Sequence, residues 1–356
     1  MDGAMMIDKK ADLARKDALA SPKKINLALQ GGGSHGAYTW GVLDYLLESE
    51  NVQIEAISGT SAGAMNAVVV ADGLMKNGRD GARDNLEKFW KEVSAMGKSS
   101  PVQRTFYDML TGNWNLDHSP GYIYTDLISR LASPYELNPL NMNPLKDMLL
   151  SLVDFDRVRS CDRMGLFISA TSVRTGKVKV FNRQELCADA IMASACLPFV
   201  FQAVEIKGEA YWDGGYMGNP VLFPFFYYCK SRDIVIVQIN PLGCQETPKT
   251  ARDILNRVNE ITFNSSLLSE LRAVDFVGRL VKDGKVDPSQ YKQMLIHIIE
   301  SEQAFKPFNA SSKMNTEWAF LRKLFEIGRQ SASKWLDDHF ATIGLESTVD
   351  VRAILS

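Results

Sequence analysis

The stretch GTSAG, residues 59–63, contains a serine whose surroundings suit nucleophilic chemistry. Ser61 lies between Gly59 and Gly63, and a G-x-S-x-G sequence between a strand and a helix holds its serine on a sharp turn with the hydroxyl exposed. The context fits, because a weak strand is predicted over residues 53–58 and a fully buried apolar helix is predicted to follow. Ser61 is therefore a candidate nucleophile for acyl transfer.

The stretch LALQGGGSHGAYTWGVL, residues 27–43, runs from a predicted buried strand through three glycines into a predicted helix. Gly31, Gly33 and Gly36 match G-x-G-x-x-G, so a Rossmann-type nucleotide binder is one alternative. That site also needs an acidic residue at the end of the second strand to bond the ribose, whereas Glu55 lies at the beginning of that strand. A Walker-type phosphate loop is disfavoured as well, because its lysine and its serine or threonine are missing.

The glycine loop, residues 31–36, also suits a reaction in which negative charge appears only transiently. A turn at Gly31, Gly32 and Gly33 leaves backbone N–H groups free, and the following helix adds the positive end of its dipole. Such donors stabilise the oxyanion of a tetrahedral intermediate, and each is typically worth about 10²–10³ in rate. The glycine loop is therefore a candidate oxyanion hole for Ser61.

A serine nucleophile needs a base within hydrogen-bond reach, and the four histidines of the chain supply no obvious one. His35 lies in the glycine loop and His118 in a proline-rich segment. An α/β-hydrolase would place its acid and its histidine on loops after later strands, and neither His297 nor His339 is predicted on such a loop. A Ser-His-Asp triad therefore lacks a natural base.

A different base is offered by YWDGGYMGNP, residues 211–220. Asp213 follows an aromatic pair that should end a strand and precedes Gly214 and Gly215, so its carboxylate could lie on a tight turn at the edge of a cleft. A partly desolvated carboxylate can accept the serine proton directly. A β-turn without a catalytic role explains the same stretch, and the residues alone leave the two interpretations open.

The elements that position these residues follow a repeated pattern of strand, turn and helix. Two such units in succession predict a mainly parallel sheet with helices on its faces. Residues 98–150 interrupt the pattern with five prolines, and we interpret them as short helices and loops packed on the core, with a lid or access region as the functional alternative. Later strands are predicted over 165–173, 177–181 and 233–240 and in QMLIHIIE. The predicted later helices are a buried helix stopped by Pro198 and long helices over 251–283 and near the C-terminus.

The composition narrows the classes of function. Hydrophobic residues make up 46% of the 356 residues, as in a globular protein with a real core, and 40 basic against 42 acidic residues leave a formal charge of -2. No nucleic-acid partner is therefore predicted. The five cysteines show no C-x-x-C pair, so we expect reduced thiols, and no metal or cofactor is predicted.

Residues 1–23 are predicted to be a flexible N-terminal lead-in. They carry charges every few residues and lack the apolar run of about 7–15 residues that a secretory signal needs. No window of roughly 18 apolar residues occurs in the chain, so no segment is expected to span a bilayer. We therefore predict a cytoplasmic protein whose contact with a membrane, where it has one, is peripheral.

Taken in order, the glycine loop, GTSAG and DGG resemble the motifs of the patatin-like phospholipase family, which are G-G-G-x-x-G, G-x-S-x-G and a later D-G-G or D-G-A. The segment ADAIMASACLPFVFQAVEIKGEAYWDGG also looks like that family's approach to its aspartate. The resemblance covers about residues 24–240 and implies a catalytic domain with the family's three-layer α/β/α fold and mainly parallel sheet. Residues 241–356 lie largely outside the resemblance and are predicted to be a helix-rich extension packed on the core.

The family uses a serine–aspartate dyad without a catalytic histidine. The resemblance therefore implies Ser61 as nucleophile, Asp213 as general base and Gly31, Gly32 and Gly33 as oxyanion hole. The implied reaction is hydrolysis of lipid acyl esters, in the manner of a phospholipase A or a lysophospholipase. A catalytically silent acyl-binding or regulatory protein remains the alternative, followed by the Rossmann-type nucleotide binder.

One position departs from the family pattern. The family usually has arginine or lysine two residues after the third glycine, where this chain has His35. A permanent positive charge beside the oxyanion hole would then become one that depends on pH. The departure puts a preference for anionic head groups in doubt and leaves the expected catalysis unchanged.

Overall fold

The computed structural model of the protein describes residues 22–244 and 246–356. The lead-in predicted over 1–23 lies outside these residues except for its last two. The strands are β1 (Lys23–Leu29), β2 (Val52–Gly59), β3 (Gly165–Ser172), β4 (Val178–Asn182), β5 (Val204–Ile206), β6 (Glu209–Asp213), β7 (Asp233–Val237) and β8 (Leu295–Ile299).

Helices of very different length connect these strands. They are α1 (Gly36–Glu48), α2 (Ala62–Gly97), α3 (Phe106–Thr111), α4 (Pro120–Leu131), α5 (Pro134–Leu137), α6 (Pro144–Leu152), α7 (Phe155–Ser160), α8 (Ala188–Ser194), α9 (Phe223–Tyr228), α10 (Ala251–Lys282), α11 (Glu302–Phe305), α12 (Trp318–His339) and α13 (Val351–Leu355). Short 3₁₀ turns lie at Gly33–His35, Arg183–Glu185, Gly214–Tyr216, Ala310–Met314 and Phe340–Thr342.

The strands form one sheet in the order β5-β6-β3-β2-β1-β7-β8, with β4 paired to β3 outside this path. The central pairs are parallel, whereas β4, β5 and β6 run antiparallel to their neighbours. Strand β7 is buried along its whole length, as its apolar run DIVIV predicts for a strand covered on both faces. The predicted mainly parallel sheet is confirmed, and β8 shows that the helix-rich C-terminal region also contributes a strand.

The carboxyl ends of β1 and β2 meet at one edge of the sheet, since Leu29 pairs with Gly59. The glycine loop and GTSAG therefore leave the sheet side by side. Strand β6 reaches the same edge from the opposite direction, where Asp213 pairs with Ala170 of β3. Ala170 lies two residues beyond Ile168, the β3 residue that pairs with Gly59. The reversed direction of β6 thus brings Asp213 beside the turn that follows β2.

Each face of the sheet carries its own core. Helices α1, α2 and α12 cover one face, and α9, α10 and α13 cover the other, so Val235 enters the first core and its neighbour Ile236 the second. Helix α12 packs closely along α1 because Gly41 and Gly328 let the two backbones meet. A Cβ atom on Gly41 would lie 2.0 Å from the Phe325 carbonyl oxygen. This is the three-layer α/β/α architecture expected from the sequence.

Residues 98–150 contain the short helices α3 to α6, joined by loops. Helices α4 and α6 begin with a capping side chain followed by proline, at Ser119 and Asn143 respectively. The predicted buried helix before Pro198 ends at Ser194, because Pro198 has no N–H to donate to the Ser194 carbonyl oxygen and its ring would clash with that carbonyl group. None of the described helices has both the length and the apolar composition needed to cross a bilayer.

Candidate active site

Ser61 lies on a sharp turn between β2 and α2. Its backbone has φ 53° and ψ -118°, a strained conformation for a residue with a side chain, and its N–H donates to the Ser194 hydroxyl at 2.9 Å. Close backbone contacts require the flanking glycines, because a Cβ atom on Gly59 would lie 2.6 Å from the Gly63 carbonyl oxygen. A Cβ atom on Gly63 would lie 2.4 Å from the Leu29 carbonyl oxygen. The G-x-S-x-G sequence thus holds Ser61 against the end of β1.

The glycine loop lies directly against Ser61. A Cβ atom on Gly31 would lie 2.8 Å from the Ser61 Cβ atom and 2.9 Å from the Thr60 carbonyl oxygen, so only glycine fits there. Gly33 has φ +56°, which favours glycine, and a Cβ atom there would lie 2.5 Å from the Lys313 carbonyl oxygen. The backbone of the loop is therefore held beside the candidate nucleophile.

The N–H groups of the glycine loop differ in their availability. The Gly31 N–H donates to the Asn219 side-chain oxygen at 2.7 Å, so it is not free to bind an oxyanion. The N–H groups of Gly32 and Gly33 have no hydrogen-bond acceptor within the described part of the chain. The structure thus differs from the predicted set of three donors: Gly31 allows the close approach, and the next two glycines present the free N–H groups.

Asp213 ends β6 in a buried position, with 1% of its surface exposed. Its carboxylate accepts the Gly215 N–H at 2.7 Å, and its own backbone N–H donates to the Cys196 carbonyl oxygen at 2.8 Å. A Cβ atom on Gly214 would lie 2.3 Å from the Ser169 carbonyl oxygen. A Cβ atom on Gly215 would lie 2.0 Å from an aromatic ring carbon of α10. Both glycines of the DGG motif are therefore required by packing.

The surroundings of Asp213 make it a stronger base than an ordinary carboxylate. Burial raises the pKa of Asp213 to about 7, although hydrogen bonds from the Gly215 N–H and the Ser61 hydroxyl oppose the shift. The effect of the Ser61 hydroxyl on this pKa places the two residues of the predicted dyad near each other. A carboxylate with a pKa near 7 is partly ionised and still basic at neutral pH, which suits a general base.

Two hydroxyl groups connect the turn that carries Ser61 to the loop after Asp213. The Thr60 hydroxyl contacts the Ser169 hydroxyl at 2.6 Å and donates to the Gly218 carbonyl oxygen at 2.6 Å. Sequence reasoning missed both residues, because a threonine beside a motif and a serine inside a strand are common. Their only sequence signal is that they are polar residues in otherwise buried elements.

A buried amide network supports the glycine loop from behind. The Gln30 side-chain oxygen accepts the N–H groups of Ile239 and Asn240, both at 2.9 Å. The Asn240 NH₂ group in turn donates to the Gly31 carbonyl oxygen at 2.8 Å, so the network fixes the backbone of the loop. Sequence reasoning missed Gln30 as well, although an amide at the end of an apolar strand is a usable signal.

His35 is buried behind the glycine loop. Its Nε2 contacts the Ser312 hydroxyl at 2.8 Å, and the Phe305 ring packs edge-on against it with 5.2 Å between centroids. Burial, together with the positive charge of Lys313, holds the pKa of the imidazole well below its usual range. The ring is therefore neutral at physiological pH, and the expectation of a charge that switches with pH is wrong.

A lysine from the C-terminal region brings positive charge to the glycine loop. The Lys313 ammonium donates to the Asn240 side-chain oxygen at 2.7 Å, and Asn240 holds the Gly31 carbonyl group. Burial lowers the pKa of Lys313, against the opposing field of Glu260. A basic side chain that is far away in sequence thus lies behind the glycine loop, where His35 itself is neutral.

The sequence model of the patatin-like phospholipase family matches residues 27–226, more than half of the chain. The chain belongs to the patatin-like phospholipase family. The match confirms the resemblance drawn from the three motifs. No curated protein matches the chain significantly.

Three solved structures are similar to this patatin-like chain at low sequence identity. VipD from Legionella pneumophila is 14% identical, with a TM-score of 0.41, over 90% of this chain and 67% of that one. The type III effector protein ExoU is 15% identical, with a TM-score of 0.31, over 89% of this chain and 53% of that one. ExoU in complex with SpcU, from the type III secretion system of Pseudomonas aeruginosa, is 14% identical, with a TM-score of 0.30, over 87% and 53%. The chain thus spans about half the length of the ExoU structures.

The other histidines of this patatin-like protein have different partners. His118 contacts Asp108 at 2.8 Å, and His297 is buried against Asp233 at 3.0 Å. His339, at the end of α12, packs near the ring of Trp335. Among the described residues, no group of three or more His, Cys, Asp or Glu side chains could hold a metal ion.

A cavity of about 400 Å³ opens beside the patatin-like site, between α8 and the segment that follows α5. Tyr135, Met192 and Phe201 contribute to its wall. Cys196 also lines it, and the carbonyl group of Cys196 accepts the Asp213 N–H. Neither dyad residue lines the cavity itself, but its size suits part of a lipid molecule.

Proposed function

We propose that this patatin-like protein is a serine hydrolase of lipid acyl esters, similar to a phospholipase A or a lysophospholipase. The observation that supports this most directly is the interaction of the Ser61 hydroxyl with the buried Asp213 carboxylate, beside the free N–H groups of Gly32 and Gly33. Family membership supports a lipid substrate. The fold alone does not specify the reaction, because one fold can serve several functions.

In the first half-reaction, the Ser61 oxygen attacks the ester carbonyl carbon while Asp213 accepts the serine proton. The N–H groups of Gly32 and Gly33 stabilise the oxyanion of the tetrahedral intermediate. The intermediate then expels the alcohol, which takes the proton from Asp213. The acyl group remains bonded to Ser61.

In the second half-reaction, a water molecule attacks the acyl carbonyl carbon while Asp213 accepts one of its protons. The same two N–H groups stabilise the second oxyanion. Collapse of this intermediate releases the fatty acid, and the proton returns from Asp213 to the Ser61 oxygen. No step requires a histidine.

Turnover of p-nitrophenyl acyl esters and labelling by a fluorophosphonate test this proposal. Ser61→Ala should abolish both signals, and Asp213→Asn should lower turnover by about 10³-fold or more because the serine proton then has no acceptor. Asp338→Asn, which changes a carboxylate on α12 that pairs with Lys334, is the matched control and should leave turnover unchanged. His118→Gln should also leave it unchanged.

Other outcomes would favour other functions. A folded native protein that binds fatty acids but neither turns over esters nor becomes labelled would be an acyl-binding or regulatory protein. A melting temperature that rises with NAD(P) would favour the nucleotide binder, and activity that depends on added calcium would contradict the mechanism. The cytoplasmic location and a lid role for residues 98–150 stay predictions.

A further inference from the structure

Residues 106–142 expose a large amount of apolar side chain. Leu140 is 81% exposed and Phe106 75% exposed, far more than their hydrophobicity favours. Exposed apolar patches of this kind mark binding surfaces in soluble proteins. The docking surface consists of the large apolar residues of α3, α4, α5 and the following loop that are at least 47% exposed: Phe106, Tyr107, Met109, Leu110, Ile123, Tyr124, Leu127, Leu131, Tyr135, Leu137, Leu140 and Met142.

The docking surface is attached at two points to elements that also contact the candidate site. At the first point, the Leu116 N–H donates to the Ser311 hydroxyl at 2.8 Å, and the neighbouring Ser312 contacts His35. At the second point, the Gln202 side chain donates to the Asn138 carbonyl oxygen at 2.7 Å. The loop that contains Gln202 begins at Cys196, whose carbonyl group accepts the Asp213 N–H. The segment that carries the docking surface is therefore tied both to the support of the glycine loop and to the loop that holds Asp213.

Further exposed apolar residues lie close in sequence to the groups that contact Asp213. Leu197, Phe199 and Val200 follow Cys196 directly and are 39%, 67% and 44% exposed. Met217, in the loop after Asp213, is 42% exposed. These residues add exposed apolar side chain to the two loops that adjoin Asp213.

The charge of the segment identifies the kind of surface it fits. Residues 106–142 contain four acidic residues against one arginine and no lysine, a formal charge of -3 with histidine neutral. The single arginine, Arg130, is paired with Asp126 at 3.0 Å. Anionic membranes attract clusters of lysine and arginine, so this segment has no electrostatic reason to prefer them. Its attraction to lipid must come from apolar burial.

We propose that the docking surface binds an uncharged lipid surface, such as a phosphatidylcholine bilayer, by inserting its apolar side chains. The role of this binding, which is to deliver lipid esters to the dyad, rests on the proposed function. Tyr107, Tyr124 and Tyr135 add rings that are apolar with a polar tip, a type enriched at membrane interfaces. The competing occupant is a second copy of this chain.

Flotation of the full chain with phosphatidylcholine vesicles tests the binding. The chain carries Ser61→Ala in this experiment, so that hydrolysis does not alter the vesicles. We expect flotation that neither increases with added phosphatidylserine nor decreases at high salt, because the segment lacks free basic residues. Absence of flotation by the folded chain, or flotation that needs phosphatidylserine and is lost at high salt, would overturn the proposal.

Substitution of exposed side chains tests the location. The variant with Phe106→Ser, Leu110→Ser and Leu131→Ser loses side chains that are 75%, 71% and 73% exposed. The three losses together should weaken vesicle binding by roughly tenfold or more. The matched control carries Tyr227→Ser, Phe276→Ser and Leu345→Ser, at positions that are 74%, 54% and 75% exposed, and should bind like the parent. Equal weakening in both variants would place the binding elsewhere.

Activity measurements separate this proposal from the proposed function. In the chain with intact Ser61, the first triple variant should keep native turnover of a soluble p-nitrophenyl ester and lose roughly tenfold or more of its turnover of vesicle phospholipid. A chain that floats but has no turnover would contradict the proposed function alone. A chain with turnover but no flotation, or a dimer in solution that the first triple variant dissociates, would overturn the docking proposal alone.

Discussion

The candidate active-site edge of the sheet, where Ser61 and Asp213 lie, and the docking surface are built in opposite ways. At the edge, Ser61 and Asp213 lie among backbone contacts so close that motif glycines cannot carry a Cβ atom. On the docking surface, the apolar side chains point into solvent, and capping bonds within the segment hold α3 and α4. The first region needs particular residue types because its close backbone contacts leave no room for other side chains. The second needs only apolar area, so many residue types would serve.

Gly31→Ala, at the candidate active-site edge, should produce the largest fall in kcat/KM among the changes described below. Its Cβ atom would lie 2.8 Å from the Ser61 Cβ atom, so the loop and the nucleophile must move apart, and we expect kcat/KM to fall by about 10²–10³. Gly278→Ala is the control, because the nearest atom to a Cβ there would be 3.9 Å away. It should change kcat/KM by less than about twofold. A native kcat/KM for Gly31→Ala would show that the glycine loop can accept a side chain at this position without loss of rate.

The pH dependence of the rate should be the next largest effect. Asp213 accepts a proton only when ionised, so kcat/KM should rise with pH through about 7 and fall about tenfold per unit below it. The check is a pH profile with a soluble ester, in which His118→Gln serves as control because His118 contacts Asp108, outside the candidate site. A midpoint near 4 would mean that Asp213 is not the buried base described here.

The same pKa has a consequence for stability. Because the pKa of Asp213 is higher in the folded protein than in the unfolded chain, the folded state binds the proton more tightly, and stability falls as pH rises from about 4 to about 7. Asp213→Asn cannot ionise and should therefore melt at a higher temperature than the native protein at pH 8. The difference should shrink towards pH 4, which thermal melts at the two pH values would show.

The smallest of these effects is expected for the substitution of Asp108, which tests the stability of α3 in the docking surface. Burial raises the pKa of Asp108, but hydrogen bonds from Thr105, His118 and Asn113 outweigh it and lower the pKa to about 2. Its stabilisation is therefore present above about pH 4 and lost as pH falls towards 2. Asp108→Ala should weaken α3 by about 1–2 kcal/mol at neutral pH, seen as faster amide hydrogen exchange over residues 105–113. Turnover of a soluble ester should not change, and a large loss would link α3 to catalysis directly.

The sequence predicted the motif glycines better than it predicted the contacts that support them. Gly59 and Gly63 are readable because a close backbone contact excludes every other residue type. The occupied N–H of Gly31 was not predictable, since its acceptor, Asn219, meets it only through the pairing of distant strands. The burial of His35 depends in the same way on residues near 305 and 312. Local motifs therefore identified the candidate site, and long-range packing decided which of its groups stay free or charged.

Because Ser312 and Lys313 support the glycine loop, part of this support is synthesised long after the loop itself. The ribosome delivers the glycine loop first, then Ser61 and Asp213, and the Ala310–Met314 turn only much later. A nascent chain that already carries both dyad residues still lacks the groups that hold the loop from the C-terminal side. The candidate oxyanion hole therefore gains these C-terminal contacts only late in synthesis, after Ser61 and Asp213 have already been incorporated.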